Sequence, residues 1–233
     1  MITLQTDHIR VVAEPLTQAA FAPFGDVVAN PRPDVLPSAY DAHSQSLPKS
    51  AVSANQGSAI QYRNASRIRN LLHLAPSRKS EPIMSVFVCA ARRLARSAKG
   101  DEIFTVSVME RHPFTTQTFT PIASSASSYL VVVAPSLQPS EQDEGLPAPN
   151  GHGLPGRGLP DVRNLRAFIA TNNQAVTYGA GTWHSPMVVL GDEGTTLDFV
   201  VSQFASGQAD EDCQLVEFTN DPIVRLQRRL ERL

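Results

Sequence analysis

Residues 104–112 read FTVSVMERH and alternate between apolar and polar side chains. An alternation of period two predicts a β-strand with two different faces, and we expect this strand to span residues 103–112. The face expected to be buried carries Phe104, Val106, Val108, Glu110 and His112. The opposite face carries Thr105, Ser107, Met109 and Arg111, so we expect Arg111 to be solvated or to lie at an interface.

Similar short strands are predicted on both sides of this segment. Many short strands separated by turn residues indicate a sandwich or a barrel. Two stretches, residues 31–58 and 134–160, are predicted to be irregular because they are rich in turn residues and lack periodicity. The other candidate strands span residues 59–63, 84–92, 117–122, 129–133, 166–170, 175–179, 187–190, 196–204 and 214–217.

Both ends of the chain carry helix signals. Thr17 is a plausible N-cap of a short helix. Near the other end, Asp221 and Pro222 suit an N-cap and a first helical position. The sequence therefore predicts a C-terminal helix with one apolar stripe, formed by Ile223, Leu226, Leu230 and Leu233.

The bulk composition is that of an ordinary globular chain, and we expect residues 1–233 to form one domain. Hydrophobic residues make up 42%, charged residues 18%, and the net charge is −2. Such a weak charge gives no reason to expect nucleic acid or an anionic membrane as a partner. No apolar run long enough to span a membrane occurs. We expect Cys89 and Cys213 to be reduced thiols in a cytoplasmic protein.

Two short motifs concentrate the residues that could carry chemistry. In the first, Glu110 and His112 share a strand face, and Gln117 begins the next strand. A carboxylate and an imidazole on an apolar face need partners, because an unpaired buried charge is costly. In the second, residues 178–186 (YGAGTWHSP) form a glycine-rich turn that presents Trp183 and His184. The alternative is that both histidines are structural and satisfied by backbone groups.

A glycine pattern elsewhere does not indicate a nucleotide site. Residues 151–156 (GHGLPG) match the spacing of a dinucleotide-binding loop, but no predicted strand precedes them and Pro155 lies inside the pattern. That loop needs a strand before it and a helix after it. We therefore expect no nucleotide cofactor.

The spacing of the first motif resembles that of cupins, which hold a metal ion inside a small β-barrel. The resemblance implies Glu110, His112, Gln117 and His184 as metal ligands. Glu110 stands where cupins have a histidine, and Gln117 where they have a glutamate. Two imidazoles, one carboxylate and one amide are a donor set suited to a divalent transition metal.

Longer stretches resemble the ureidoglycolate lyase family, its fungal branch in particular. They are residues 15–28 (PLTQAAFAPFGDVV), 109–121 (MERHPFTTQTFTP), 129–135 (YLVVVAP) and 174–187 (QAVTYGAGTWHSPM). The resemblance implies a mainly β, cupin-like β-barrel with a few short helices. It also implies a homodimer, a divalent metal often given as nickel, and cleavage of (S)-ureidoglycolate to glyoxylate and urea in allantoin degradation.

Roles for individual residues follow from this resemblance as expectations. Catalysis would involve His184, His112 and Glu110, and substrate binding Gln117, Tyr178, Trp183 and Arg63. Arg63 is the first candidate for the substrate carboxylate, because Gln61 stands where a basic residue is expected. The alternatives are another cupin enzyme acting on a small acid, such as an isomerase or metal-dependent oxygenase, and a non-catalytic cupin that binds a ligand.

Overall fold

The computed structural model describes residues 2–7, 9–122 and 124–227. Within them strands dominate, and each helical segment is only three or four residues long. The prediction of a mainly β fold with a few short helices is confirmed. Thr17 caps the first helix as predicted, because its side chain accepts a hydrogen bond from the backbone N–H of Ala20 at 3.2 Å. No helix in these ranges has the length and hydropathy needed to cross a membrane.

The strands are β1 (Ile2–Gln5), β2 (Arg10–Val12), β3 (Glu14–Pro15), β4 (Gly25–Val28), β5 (Ala51–Ala54), β6 (Ala59–Tyr62), β7 (Glu81–Ala90), β8 (Ala95–Arg96), β9 (Glu102–Thr105), β10 (Val108–Arg111), β11 (Gln117–Ile122), β12 (Ser128–Ala134), β13 (Arg166–Thr171), β14 (Ala175–Tyr178), β15 (Trp183–His184), β16 (Val188–Leu190), β17 (Thr196–Ala205), β18 (Gln214–Thr219) and β19 (Ile223–Leu226). The α-helices are α1 (Gln18–Phe21), α2 (Tyr40–His43) and α3 (Ala209–Asp212), and 3-10 helices span Pro37–Ala39, Asn55–Gly57, Leu72–Leu74, Glu141–Asp143 and Val162–Asn164.

Three sheets build the body of the fold. The central sheet has eight strands in the order β1-β18-β10-β15-β12-β13-β3, with β16 also paired to β12. A five-stranded sheet follows the order β4-β14-β11-β17-β7, and a four-stranded sheet the order β2-β19-β9-β8. Strands β5 and β6 form a separate hairpin.

The central sheet is buried on both faces. Leu130 and Val132 of β12 belong to a hydrophobic cluster shared with the four-stranded sheet. Val131 and Val133 belong to a second cluster, shared with the five-stranded sheet. A strand covered on both faces needs a continuous apolar sequence, which explains the run from residue 129 to 134. The described sheets do not close into a barrel, so the cupin-like fold is a sandwich.

The predicted strand 103–112 is two strands in two different sheets. β9 pairs with β19 in the four-stranded sheet, and β10 pairs with β18 in the central sheet. The chain changes sheets between Val106 and Val108, and the alternation shifts by one residue there. Val106 and Met109 therefore point into the same cluster. This shift turns Arg111 inward as well, so the prediction that Arg111 is solvated or interfacial is wrong.

The two segments predicted to be irregular differ in outcome. Residues 31–58 contain α2, β5 and two 3-10 turns. The prediction of an irregular segment is wrong there. Strand β5 is stabilised by pairing with β6, which lies outside residues 31–58, so the local sequence pattern could not indicate it. In the segment predicted to be irregular, 134–160, Ala134 ends β12, Ser136 and Pro160 form an isolated bridge, and residues 141–143 form a 3-10 turn. The rest of the segment is irregular, as predicted.

The chain does not turn helical at Ile223. Residues 223–226 form β19, which lies between β2 and β9. Val224 and Leu226 alternate into the core, and this burial outweighs the helix signal at Asp221 and Pro222. The predicted C-terminal helix is wrong over this stretch. Leu230 and Leu233 lie outside the described residues.

Candidate active site

Three polar side chains from the two sequence motifs meet at the end of β10. Glu110 lies directly opposite His184 in the pairing of β10 with β15. His112 follows β10 by one residue and shares the face of Glu110. Donor atoms of Glu110, His112 and His184 all lie within 4.8 Å of one another. Both histidines are buried and the carboxylate is half-buried.

The glycine-rich turn between β14 and β15 fixes this meeting point. The backbone N–H of Gly181 donates to the carbonyl of His112 at 2.8 Å, which ties the turn to the first motif. Gly181 has a φ of +77°, a conformation that favours glycine. A Cβ at this position would lie 2.4 Å from Cβ of Pro155. The turn therefore requires glycine both for its backbone and for its packing.

Replacing Gly181 with alanine is expected to lower the free energy of unfolding by about 2–3 kcal/mol, since strain and overpacking add. Gly194→Ala is a matched control, because Gly194 has a φ of +89° and no atom near its Cβ position. The control should show the conformational cost alone, about 1 kcal/mol. Chemical denaturation measures both. If both variants lost the same free energy of unfolding, the close approach to Pro155 would not contribute to stability.

Backbone carbonyls set the protonation of both imidazoles. Nδ1 of His184 contacts the carbonyl of Thr182 at 2.9 Å, and Nδ1 of His112 contacts the carbonyl of Asp212. A carbonyl oxygen only accepts, so each ring carries a proton on Nδ1 and donates it. The Nε2 atom of each ring is buried and has no hydrogen-bond partner among the described residues. Both lone pairs therefore face the space beside Glu110.

The polar cluster formed by Glu110, His112 and His184 is electrostatically suited to bind a proton or a cation. Burial, followed by the charge of His184, lowers the pKa of His112 to about 4, so this ring is neutral at pH 7. Burial, the largest single influence, would raise the pKa of Glu110, but its contacts with His184, His112 and Cys213 together outweigh burial and hold the pKa below its usual value. Nε2 of His184 lies 3.6 Å from a Glu110 oxygen. A carboxylate that faces two imidazole lone pairs is therefore stabilised by a positive charge among them, such as a proton on Nε2 of His184 or a bound cation.

Gln117 reaches the cluster from the other sheet. It begins β11, where it lies opposite Gln203 on one side and Tyr178 on the other. Its Nε2 donates to Oε1 of Gln203 at 2.6 Å, which leaves its own Oε1 buried and without a partner among the described residues. An oxygen held in this way is available to a ligand. Tyr178, the cross-strand neighbour of Gln117, stacks on the His184 ring, which places Gln117 next to the two histidines.

The structure separates the two predicted aromatic contacts. The Tyr178 ring stacks on the His184 ring with centroids 3.9 Å apart and planes at 10°. Tyr178 therefore acts first as a platform that orients His184. Trp183 points to the opposite face of the central sheet, into the cluster shared with the four-stranded sheet. Its Nε1 donates to the carbonyl of Gly158 at 2.9 Å. The structure therefore does not bring Trp183 to Glu110, His112 and His184.

Arg63, the predicted carboxylate anchor, also lies elsewhere. It is exposed in the turn after β6, and its Nε is 3.5 Å from Oε1 of Gln61. No described contact joins it to Glu110, His112 or His184. The β5–β6 hairpin, rather than the central sheet, positions this residue.

Arg111 is a buried structural residue on the face opposite the cluster. Its Nε donates to Oε1 of Gln214 at 2.8 Å, and its Nη1 donates to the carbonyl of Gly158 at 3.0 Å. The guanidinium lies 4.7 Å above the Trp183 ring. Burial lowers the pKa of Arg111 to about 10, so it stays charged at neutral pH. Through its hydrogen bond to Gly158, Arg111 thus attaches the irregular segment 135–160 to strand β10, on the face opposite Glu110, His112 and His184.

Two neighbours of the cluster were missed in the sequence. Sγ of Cys213 lies 3.8 Å from a Glu110 oxygen, and burial together with the charge of Glu110 raises the pKa of Cys213 to about 12. This thiol therefore stays protonated and is a poor nucleophile. Gln203 orients Gln117, as described above. No sequence signal marks Gln203, because its position depends on which strand pairs with β11.

Comparison with known proteins gives consistent matches over most of the chain. A family model described as ureidoglycolate lyase matches residues 8–225. A Schizosaccharomyces pombe protein named ureidoglycolate lyase is 35% identical over 218 residues, which cover 92% of this chain and 94% of the relative. The Saccharomyces cerevisiae protein of that name is 34% identical, with coverages of 88% and 92%. One from Burkholderia mallei is 28% identical, with coverages of 81% and 78%.

Proposed function

This chain belongs to the ureidoglycolate lyase family, and we propose that it cleaves (S)-ureidoglycolate into glyoxylate and urea at the cluster of Glu110, His112 and His184. The family and its named members support an enzyme that cleaves ureidoglycolate. They do not favour a different small-acid cupin enzyme or a non-catalytic binding protein. The observation that supports this site is the convergence of two imidazole lone pairs and one carboxylate within 4.8 Å.

The substrate needs a proton moved between two atoms on one carbon. Ureidoglycolate carries a hydroxyl and a urea nitrogen on the same carbon, next to a carboxylate. When the hydroxyl loses its proton, its oxygen forms a carbonyl, and the carbon–nitrogen bond breaks with its electron pair on nitrogen. The same proton, delivered to that nitrogen, completes urea. A single histidine can accept and return this proton.

His184 is the better of the two histidines for this task. Burial lowers the pKa of His112 to about 4, which suits a neutral ring that binds through Nε2 rather than a proton carrier. Nε2 of His184 lies 3.6 Å from the Glu110 carboxylate, which stabilises the imidazolium formed when His184 takes the proton. Stacking on Tyr178 holds the ring in place during the transfer.

The chain's own residues also fit a divalent metal ion. Glu110, His112 and Gln117 would hold it, since Nε2 of His112 and Oε1 of Gln117 are buried and lack partners among the described residues. His184 is near enough to serve as a further ligand, but its single lone pair, on Nε2, could then not accept the substrate proton, so we propose it as the proton carrier rather than as a ligand. Such an ion would act as a Lewis acid that lowers the pKa of the substrate hydroxyl and balances the carboxylate. Imidazole and oxygen donors favour a transition metal such as nickel.

Removal of metal is expected to abolish turnover and to lower the melting temperature. The protein would be treated with a chelator, its metal content measured by elemental analysis, and urea release assayed before and after addition of Ni²⁺ or another divalent ion. His112→Ala should reduce metal content, whereas His73→Ala, at an exposed position, should leave it unchanged. Full activity in the metal-free protein would show that the cluster works without a metal ion.

The remaining expectations concern the setting of the enzyme. We propose a cytoplasmic homodimer whose chain, residues 1–233, forms one domain and acts in allantoin degradation. The weak net charge of −2 supports a small-molecule substrate rather than nucleic acid or a membrane surface as partner. Fractionation of the source cells and the mass of the purified protein in solution test the compartment and the assembly.

A further inference from the structure

Strand β7 is a long apolar strand at the edge of the five-stranded sheet. It spans ten residues, Glu81–Ala90, and pairs with β17 on one side. Among the described residues no strand pairs with its other side. Several large apolar side chains are exposed along it: Ile83 (38%), Met84 (73%), Val86 (64%), Phe87 (45%) and Val88 (69%). A long, exposed, hydrophobic edge is a template for pairing with another chain.

The two faces of β7 differ in what they contact. Phe87 packs against Phe119 with ring centroids 5.7 Å apart, and Cys89 contacts the inner cluster. Odd-numbered side chains therefore point toward the central sheet. Met84, Val86 and Val88 point to the outer face, where all three are mostly exposed. Both faces of the strand thus leave apolar surface uncovered.

The free backbone groups of β7 can be assigned from its ends. Ala91 N–H donates to the carbonyl of Thr195, the residue just before β17. Arg92 N–H points away from β17 and donates to the carbonyl of Val189. The register with β17 runs from Ala90 to Glu81 without a bulge. Since hydrogen-bonding direction alternates along a regular strand, Met84, Val86 and Val88 direct their N–H and C=O groups to the free edge.

We propose that β7 pairs antiparallel with β7 of a second copy of this chain, with a two-fold axis at Val86. This inference rests on the proposed homodimer and adds its surface. The axis places Met84 of one copy opposite Val88 of the other, and joins the two five-stranded sheets into one. In a two-fold pairing residue i meets residue j and residue j meets residue i, so the same strand supplies both halves of the interface.

The composition of β7 favours a second copy over a different partner. Glu81 is its single charged residue, and the Val86 axis sets it opposite Ala91, so no like charges meet. Every residue that faces the free edge between 83 and 89 is apolar, which suits self-pairing. The strand spans about 33 Å, a length that suits an interface burying about 800 Å² per partner.

The interface also lies close to the active site. Ile83 pairs with Gln203, the residue that orients Gln117. Pairing with a second copy would turn β7 from an edge strand into an interior strand. Gln203, on β17, would then lie next to a β7 strand that is hydrogen-bonded along both of its edges.

Light scattering after size-exclusion chromatography tests the proposal on the full chain. The wild type is expected at twice the 25.2 kDa chain mass. Val86→Lys places two lysines across the axis and is expected to raise the dimer dissociation constant roughly tenfold or more. Leu36→Lys is the matched control, since Leu36 is 67% exposed and lies outside the sheets. It should leave the dimer unchanged.

A pair of double variants tests the register. Met84→Lys with Val88→Glu should keep the dimer, because each lysine then faces a glutamate of the other copy. Met84→Lys with Val88→Lys should dissociate it. The comparison stays informative if Val86→Lys fails to fold, because the two double variants differ only in the sign of one charge.

A monomeric wild type, or a dimer that persists in both Val86→Lys and the double-lysine variant, would overturn the proposal. Dissociation of both double variants alike would overturn the axis at Val86. Mass measurements need no substrate, so these outcomes are separate from a failure of the proposed function. A dimer that releases no urea would contradict the function and leave the interface intact.

Discussion

Replacing His184 with alanine is expected to lower kcat/KM for (S)-ureidoglycolate by about 10²–10⁴-fold, the usual contribution of a proton-transferring residue. His184 is buried, its Nδ1 is held by the carbonyl of Thr182, and its Nε2 faces Glu110 at 3.6 Å. Alanine removes the atom that accepts the hydroxyl proton. A urea-release assay over a range of substrate concentrations gives kcat and KM separately, and the loss should fall mainly on kcat.

Two companion variants separate chemistry from folding. His184→Asn keeps an N–H donor for the Thr182 carbonyl but lacks Nε2, so its activity should be as low as that of the alanine variant. His73→Ala removes an exposed imidazole and should retain wild-type activity. Circular dichroism and thermal unfolding verify that each variant is folded. A folded His184→Ala protein with more than a small fraction of wild-type activity would remove His184 from the mechanism.

Replacing Arg111 with leucine is expected to lower the free energy of unfolding by about 1–3 kcal/mol, the cost of leaving a buried hydrogen-bonding partner unsatisfied. The guanidinium is fully buried, hydrogen-bonded to Gln214 and Gly158, and stacked over Trp183. Leucine fills part of the volume but leaves Oε1 of Gln214 without this donor, while the Gly158 carbonyl keeps only the hydrogen bond from Trp183. Urea denaturation followed by tryptophan fluorescence measures the change, because Trp183 is the only tryptophan of the chain.

The matched control for Arg111→Leu is Arg93→Leu. Arg93 is exposed and pairs with exposed Glu193 at 3.1 Å. A surface pair of this kind contributes about 0–1 kcal/mol. Arg111→Lys should fall between the two, since lysine keeps the charge but lacks the planar fork of donors. Equal stabilities of the two leucine variants would mean that Arg111 does not fasten segment 135–160.

The sequence was most informative where local rules also hold in the folded protein. Period-two spacing placed Glu110 and His112 on one face, and the structure brings them together with His184. Strand β11 was predicted with its observed bounds, Gln117–Ile122. The glycine-rich turn was expected to present His184, and Gly181 indeed ties that turn to His112.

Predictions failed where a long-range contact decides the outcome. Arg111 is buried because the chain changes sheets near Val106 and shifts its alternation there. Ile223–Leu226 is a strand because β2 and β9 offer it hydrogen-bonding edges. Gln203 reaches Gln117 because β17 pairs with β11. Each of these outcomes depends on which strands pair although they are distant in the sequence. A local sequence pattern does not indicate such pairing.

The most direct test of the central claim is the identity and ratio of the products that the purified chain releases from (S)-ureidoglycolate. Urea and glyoxylate would be quantified in the same sample, together with ammonia. A lyase acting at the Glu110, His112 and His184 cluster breaks one carbon–nitrogen bond, so urea and glyoxylate should appear in equal amounts without ammonia. Release of ammonia in place of urea, or no release of glyoxylate by a folded, metal-loaded protein, would contradict the account.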